Sequence, residues 1–308
     1  MSYKNPEITR KFLSEIQSHI DQMNYDQIKT LCNATLPSIP VNVVEFKNEN
    51  FSFRQMQLGG INGVYRAREI NNYENTPFKT VSEISYIPED KKDKLKYYGR
   101  ANKPFEPMFY GAFDYTTACA ESITNADEFL KKGSTMFTVG LWKFETPLIL
   151  AELPHSEKNF KKFYETVNFK PERIQLEHIQ KANLESKIHY RNGIEFEIAI
   201  FFADEFARFD SEKEHNYKLS NYYTDRIFNR INGFELPFDI DGIIYPSVTQ
   251  SYQHKNIVLK PEVVDKKLKF INAMQVWLVS HKETSGGAQF IPIRQHIKAD
   301  KDGNLLWI

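Results

Sequence analysis

The chain has 308 residues, with 40 basic and 40 acidic side chains in balance, 41% hydrophobic residues and 14% aromatic ones. That neutrality excludes a general nucleic-acid or membrane-surface binder, and the length can bury a core without staples. Cys32 and Cys119 are the only cysteines and lie far apart in apolar contexts, which excludes a disulfide scaffold and a zinc ribbon.

Residues 7–33 show helical spacing: Ile8, Phe12, Ile16 and Ile20, then Ile28 and Leu31 after a break at Met23-Asn-Tyr-Asp26. Two short helices are predicted there. The start, Met1-Ser-Tyr-Lys-Asn-Pro6, lacks the apolar stretch of a leader, and no run of about 18 apolar residues follows anywhere. A soluble, cytoplasmic chain is therefore expected. Pro37, Pro40 and the β-rich stretch Val41 to Phe53 lead into a glycine turn at Gly59-Gly-Ile-Asn-Gly63. Residues 1–60 read as a helical and extended appendage. A strand is predicted over 64–70, then a polar surface loop over 71–98 centred on Glu89-Asp-Lys-Lys-Asp-Lys94.

A strand from Met108 to Phe113 and a short helix opening near Asp114 or Thr116 come next. Alternation in Met136 to Phe144, then Leu148-Ile-Leu-Ala151, predicts two more strands. Residues 157–191 are polar and read as a helical, lid-like insertion. Helices follow over 195–209 and 217–231, the second with Leu219, Tyr222, Tyr223 and Ile227 on one side. Strands are expected over 238–245, 257–260 and 276–279. No repeat or low-complexity segment is present.

Chemistry concentrates in Gly99-Arg-Ala-Asn-Lys-Pro-Phe-Glu-Pro-Met-Phe-Tyr-Gly-Ala-Phe-Asp-Tyr-Thr-Thr-Ala-Cys-Ala-Glu121. Arg100 follows a glycine and is expected to project freely from a strand edge, where its planar fork suits a pyrophosphate. Tyr110 offers a flat ring with a hydroxyl. Glu121 follows small residues that a helix would bury, where a carboxylate is costly unless paired or used. The alternative for Glu121 is a salt bridge to Arg66 or Arg100. Arg66 and Arg68 share one strand face, with an acidic partner expected for Arg68. Ser247 follows Tyr245-Pro246, which holds the chain extended, and it has neither the elbow nor the histidine base of a hydrolase triad. Asn256 is expected to brace that loop. The eight histidines show no metal spacing, and His254 stands alone. No Rossmann or P-loop glycine motif occurs.

This segment resembles the core of the RES domain family, named for its arginine, glutamate and serine. Val64-Tyr-Arg-Ala-Arg68 is similar to the family's opening strand. Asp241-Gly-Ile-Ile-Tyr-Pro-Ser247 and Asn256-Ile-Val-Leu-Lys-Pro261 are similar to its closing motif. The resemblance implies an α+β fold like that of the ADP-ribosyltransferases, a split, curved antiparallel sheet with flanking helices. It places the catalytic domain at 61–265, with 266–308 as an extension packed on it. It also implies cleavage of the nicotinamide–ribose bond of NAD, commonly by the toxin of a toxin–antitoxin pair. NAD is then a substrate, and neither a separate cofactor nor a metal is implied. Arg66 and Arg100 would hold the phosphates, Tyr110 the nicotinamide side, Glu121 the ribose, and Ser247 with Asn256 a phosphate or hydroxyl. Glycoside cleavage builds positive charge on the sugar, which a fixed carboxylate stabilises. Water, phosphate or a protein can each capture that cation, so glycohydrolase, phosphorylase and mono-ADP-ribosyltransferase stay open, as does a non-catalytic NAD-binding module. An antitoxin or immunity protein is the partner that the family implies, but the extra segments at both ends and at 157–191 set the chain apart from its short toxins and suggest instead a partner that binds or covers the cleft.

Overall fold

Capping, alternation and apolar spacing together fix the elements of the computed structural model. It describes residues 6–36, 39–47, 63–70, 77–123, 126–166, 173–208, 217–229, 238–247, 254–280 and 288–307. In chain order come α1 (Pro6–His19), α2 (Tyr25–Thr35), β1 (Asn42–Phe46), β2 (Val64–Glu69) and the one-turn α3 (Val81–Ile84). Next are β3 (Phe109–Ala112), α4 (Tyr115–Glu121), α5 (Ala126–Lys132), β4 (Ser134–Phe144) and β5 (Leu148–Glu152). Four helices follow, α6 (Glu157–Thr166), α7 (Arg173–Lys187), α8 (Gly193–Phe206) and α9 (Lys218–Phe228). The chain then forms β6 (Gly242–Pro246), β7 (Lys255–Leu259), α10 (Pro261–Lys267), β8 (Leu268–Ser280), β9 (Ala288–Ala299) and β10 (Leu305–Trp307). The expected strand beyond Lys47 and the glycine turn before Gly63 lie outside the described residues.

The chain divides into two units that interleave in sequence. The first holds Met1–Glu45, Lys92–Glu106 and Ile149–Gln253. The second holds Phe46–Lys91, Pro107–Leu148 and His254–Ile308.

In the first unit, Asn24 caps α2 with a reciprocal capping box, which explains the break between the two predicted helices. Leu13, Ile16, Ile28 and Cys32 from this pair are buried. Leu219, Tyr222, Tyr223 and Ile227 of α9 are all buried, as the helical spacing predicts. β5 pairs with β6 in parallel, and Asp241 ties the two together by accepting from the Ile149 amide (2.8 Å). The described parts of the 157–191 insertion are helical over Glu157–Thr166 and Arg173–Lys187, and Phe160 and Ile179 are buried.

The second unit is built on antiparallel strands in the order β7-β3-β2-β4-β8-β9-β10. One face buries Tyr65, Ala67, Ala112, Phe137, Val139, Leu141 and Val276 beneath Ala118 and Cys119 of α4. The other face carries Phe109 edge-on to Trp142, with Ile84 of α3 fully buried. The stretch expected to be a surface loop thus contributes a core residue, because Thr80 and Glu83 form a capping box that starts a helical turn. The predicted strand at 276–279 is longer, reaching from Leu268 to Ser280, and it continues into β9 and β10. Pro292 is tolerated in β9 because it sits at a register shift opposite Val276.

Candidate active site

The ladder between β2 and β3 holds one registered pair, Tyr65↔Ala112, whereas β2 pairs with β4 along six positions. At that last pair the strands approach so closely that a Cβ on Gly111 would meet the Val64 side chain at 2.6 Å and the Tyr65 carbonyl at 2.8 Å. Beyond it the two strands open, leaving main-chain groups for side chains to satisfy.

Arg66 occupies the opening. Its Nη1 donates to the Tyr110 carbonyl (2.6 Å) and its Nε to the Ser85 carbonyl (3.1 Å). The guanidinium lies over the Phe109 ring, 5.3 Å from its centroid. Among the described residues no carboxylate pairs with it, so Arg66 is not held by a salt bridge to Glu121. Burial, reinforced by the Arg68 charge, pushes the Arg66 guanidinium down to about 9, so it stays cationic at neutral pH. The remaining N–H donors of the fork are available to an anion. Arg68 donates to the Glu83 carbonyl (2.6 Å), so its acidic neighbour binds it through the main chain.

Tyr110 is half-buried in β3, paired with Val258 of β7. Strand alternation turns its ring to the face opposite the Arg66 side chain, toward α4. Asn256 pairs with Ala112 and lies on Tyr110's face. It is 2% exposed, and its Oδ1 accepts no hydrogen bond.

α4 begins as predicted. Asp114 is its N-cap, and Thr117, Ala118 and Cys119 are buried. Its last residue is Glu121, half-buried, followed by Ser122, whose Oγ donates to the Ala67 carbonyl of β2 (3.0 Å). The end of α4 is therefore pinned to β2 one residue past Arg66. Arg66, the Tyr110 main chain and the Glu121 end of α4 converge on the opening of the ladder, the arginine from one sheet face and the helix from the other.

The N-terminal end of α4 reveals a pair that sequence spacing concealed. His254, expected to stand alone, places Nδ1 2.9 Å from Asp114 Oδ2. Asp114 also accepts from Thr116 Oγ1 (2.6 Å), the Thr117 amide (2.8 Å) and Thr117 Oγ1 (2.6 Å). Burial opposes the charge on Asp114, yet the four donors outweigh it and hold the carboxyl at about 2. Asp114 in turn raises the His254 imidazole above its ordinary range. The segment's Asp-x-x-Thr cap was legible, but its histidine partner arrives from the residue just before β7.

Arg100 and Ser247 belong to the first unit. Arg100 lies in a turn rather than at a strand edge, and its side chain is not free. Nη1 donates to the Phe206 carbonyl and to the Arg208 carbonyl (2.6 Å), and the guanidinium lies 5.4 Å from the Tyr217 ring centroid. It satisfies carbonyls at the end of α8, where a cation also meets the negative end of the helix dipole. Ser247 is fully buried directly after β6. No cluster of potential metal ligands occurs among the described residues, and none of their helices is long and apolar enough to cross a membrane.

The chain matches the RES domain over residues 64–278, about two thirds of its length, and every site residue named above lies inside that span. It belongs to the RES domain family. Comparison with curated proteins finds no match. The family is associated with NAD and with toxin–antitoxin systems, and the mixed fold with a large, mostly antiparallel sheet agrees with the α+β expectation.

Proposed function

We propose that this RES domain cleaves the nicotinamide–ribose bond of NAD and passes the ADP-ribosyl group to water or phosphate. The observation that carries the reading is the β2–β3 opening, where a cationic Arg66, with no carboxylate partner among the described residues, donates to the Tyr110 carbonyl while Ser122, next to Glu121, holds the end of α4 to the Ala67 carbonyl. A cation held by carbonyls alone suits a pyrophosphate, and a fixed carboxylate nearby suits a ribosyl cation. In this reading Arg66 holds phosphate, Tyr110 shields the nicotinamide side, and Glu121 binds a ribose hydroxyl while stabilising positive charge at the anomeric carbon. Asn256 receives a donor from the ligand. The family resemblance gives Ser247 a supporting role on phosphate, whereas Arg100, engaged with the carbonyls at the end of α8, serves the fold. An ADP-ribosyltransferase-like fold, toxicity and an antitoxin partner belong to the same proposal.

Incubating the purified chain with NAD, with and without phosphate, and identifying both products tests this directly. Nicotinamide with ADP-ribose, or with its 1″-phosphate, is expected. A folded, partner-free sample that releases no nicotinamide under either condition overturns the proposal, and label from NAD found only on protein points to transfer instead.

A further inference from the structure

We infer that Asp114 and His254 form a clamp that sets the axis of α4 and so positions Glu121; this rests on the role just proposed for Glu121. The clamp carries the β3–β7 pairing out to the helix cap, one step past the Phe113 amide, which donates to the Lys255 carbonyl (3.3 Å). Asp114 is the N-cap of α4, and His254 immediately precedes β7, whose strand carries Asn256. α4 is seven residues long, too short to hold its direction by its own hydrogen bonds. At about 1.5 Å per residue it spans roughly 10 Å, and Ser122 on the Ala67 carbonyl holds only its far end, so loosening the cap turns the helix about that anchor and reorients Glu121 beside it. Displacement of a reacting group by about 1 Å can cost on the order of 10² in rate. Asp114 and His254 therefore act as positioning residues, while the group that meets the sugar is Glu121.

The clamp is also a proton-sensitive element. As an ion pair it holds while Asp114 is charged and His254 is protonated, and it weakens to a hydrogen bond from a neutral imidazole to the carboxylate once the imidazole loses its proton. The other ionisable groups on the elements around it are Tyr110 on β3, Tyr115, Cys119 and Glu121 on α4 and Lys255 on β7. Asp114 alone supplies the charge that raises His254. Burial, reinforced by the Asp114 charge, moves Tyr115 and Cys119 up, so neither is charged near neutrality.

Cys119 provides a reporter independent of catalysis. It is fully buried in the middle of α4, and burial keeps its thiol well above the ordinary range. Its alkylation rate, read peptide by peptide to separate it from Cys32 and normalised to the unfolded chain at each pH, measures opening of the helix. His254→Leu leaves the Asp114 cap intact and removes the partner. It is expected to speed Cys119 labelling by about tenfold and to lower kcat for nicotinamide release by at least about tenfold, with KM for NAD little changed. His254→Gln keeps a donor that does not titrate. It is expected to retain kcat near pH 6 and to abolish the fall in activity and the rise in labelling that the wild type shows as pH increases through the His254 pKa. Equal labelling of wild type and His254→Leu overturns the clamp even if nicotinamide is released. An unchanged basic limb in His254→Gln overturns its proton sensitivity. Faster labelling in His254→Leu without nicotinamide release from the wild type retains the clamp and sinks the reading of the site instead.

Discussion

The opening of the β2–β3 ladder and the C-terminal end of α8 are built from nearly the same parts. Each has an arginine donating to two main-chain carbonyls, with an aromatic ring beneath it at 5.3 Å for Arg66 and 5.4 Å for Arg100. They differ in what compensates the charge. Arg100 sits where the 14-residue α8 presents its negative end. Arg66 has Arg68 as its charged neighbour and no carboxylate among the described residues. A compensated guanidinium holds a fold together, whereas one beside a like charge is suited to receive an anion. Residue type and sequence neighbourhood cannot separate the two cases, but their surroundings can.

The largest effect belongs to Glu121, on the ligand side of this comparison. Glu121→Gln keeps shape and removes charge, so kcat for nicotinamide release should fall by about 10²–10³ while NAD affinity changes little. Steady-state kinetics beside calorimetric NAD binding checks both, and full activity in the variant leaves Glu121 a structural residue. Next comes Arg66→Met, which keeps the aliphatic stem over Phe109. Losing a charge-assisted contact worth about 1.5–3 kcal/mol should weaken NAD binding by about 10- to 100-fold. If Arg100→Ala weakens binding as much as Arg66→Met does, the contrast between the two arginines collapses.

Smaller effects test the structural half. Asp114, lowered to about 2 from a usual value near 3.8, contributes stability that is present above about pH 4 and lost as pH falls toward 2. His254, raised by its partner, contributes below about pH 6.5 and loses that contribution as pH rises through its folded value. Asp114→Asn should therefore cost most between about pH 4 and 6.5, on the order of 2 kcal/mol, and thermal melts across pH show whether the difference closes on both sides. Arg100→Ala should cost about 1–2 kcal/mol, a melting shift of about 2–8 °C, with NAD affinity unchanged.

What the sequence disclosed follows from the range of the forces involved. α4, its Asp114 cap, the burial of Thr117 to Cys119 and the buried face of α9 are local, set by spacing within a turn or two. His254 and the carbonyls that Arg100 caps are not, since Phe206 lies 106 positions from Arg100. Nothing near Arg100 signals a helix end waiting for a donor. Ile84 hid in a polar stretch because a capping box, rather than apolar periodicity, begins its helix. β9 hid behind Pro292, which reads as a strand breaker until its bulge is seen.

Asn256 gives the smallest effect and the finest test of the comparison. Its side chain is buried on the face shared with Tyr110, and its Oδ1 has no donor. A buried acceptor without a partner contributes nothing to the fold to offset its desolvation, which typically costs about 1–3 kcal/mol. Asn256→Leu preserves volume and removes the acceptor, so stability should change by less than about 1 kcal/mol or rise slightly. If the amide serves only the fold, NAD affinity will be equally indifferent. If it accepts a donor from the bound dinucleotide, affinity should fall by about tenfold while the melting temperature holds. Parallel melting and binding measurements on this one variant separate the outcomes. A large loss of stability with binding intact would move Asn256 from the ligand side of the comparison to the side where Arg100 stands.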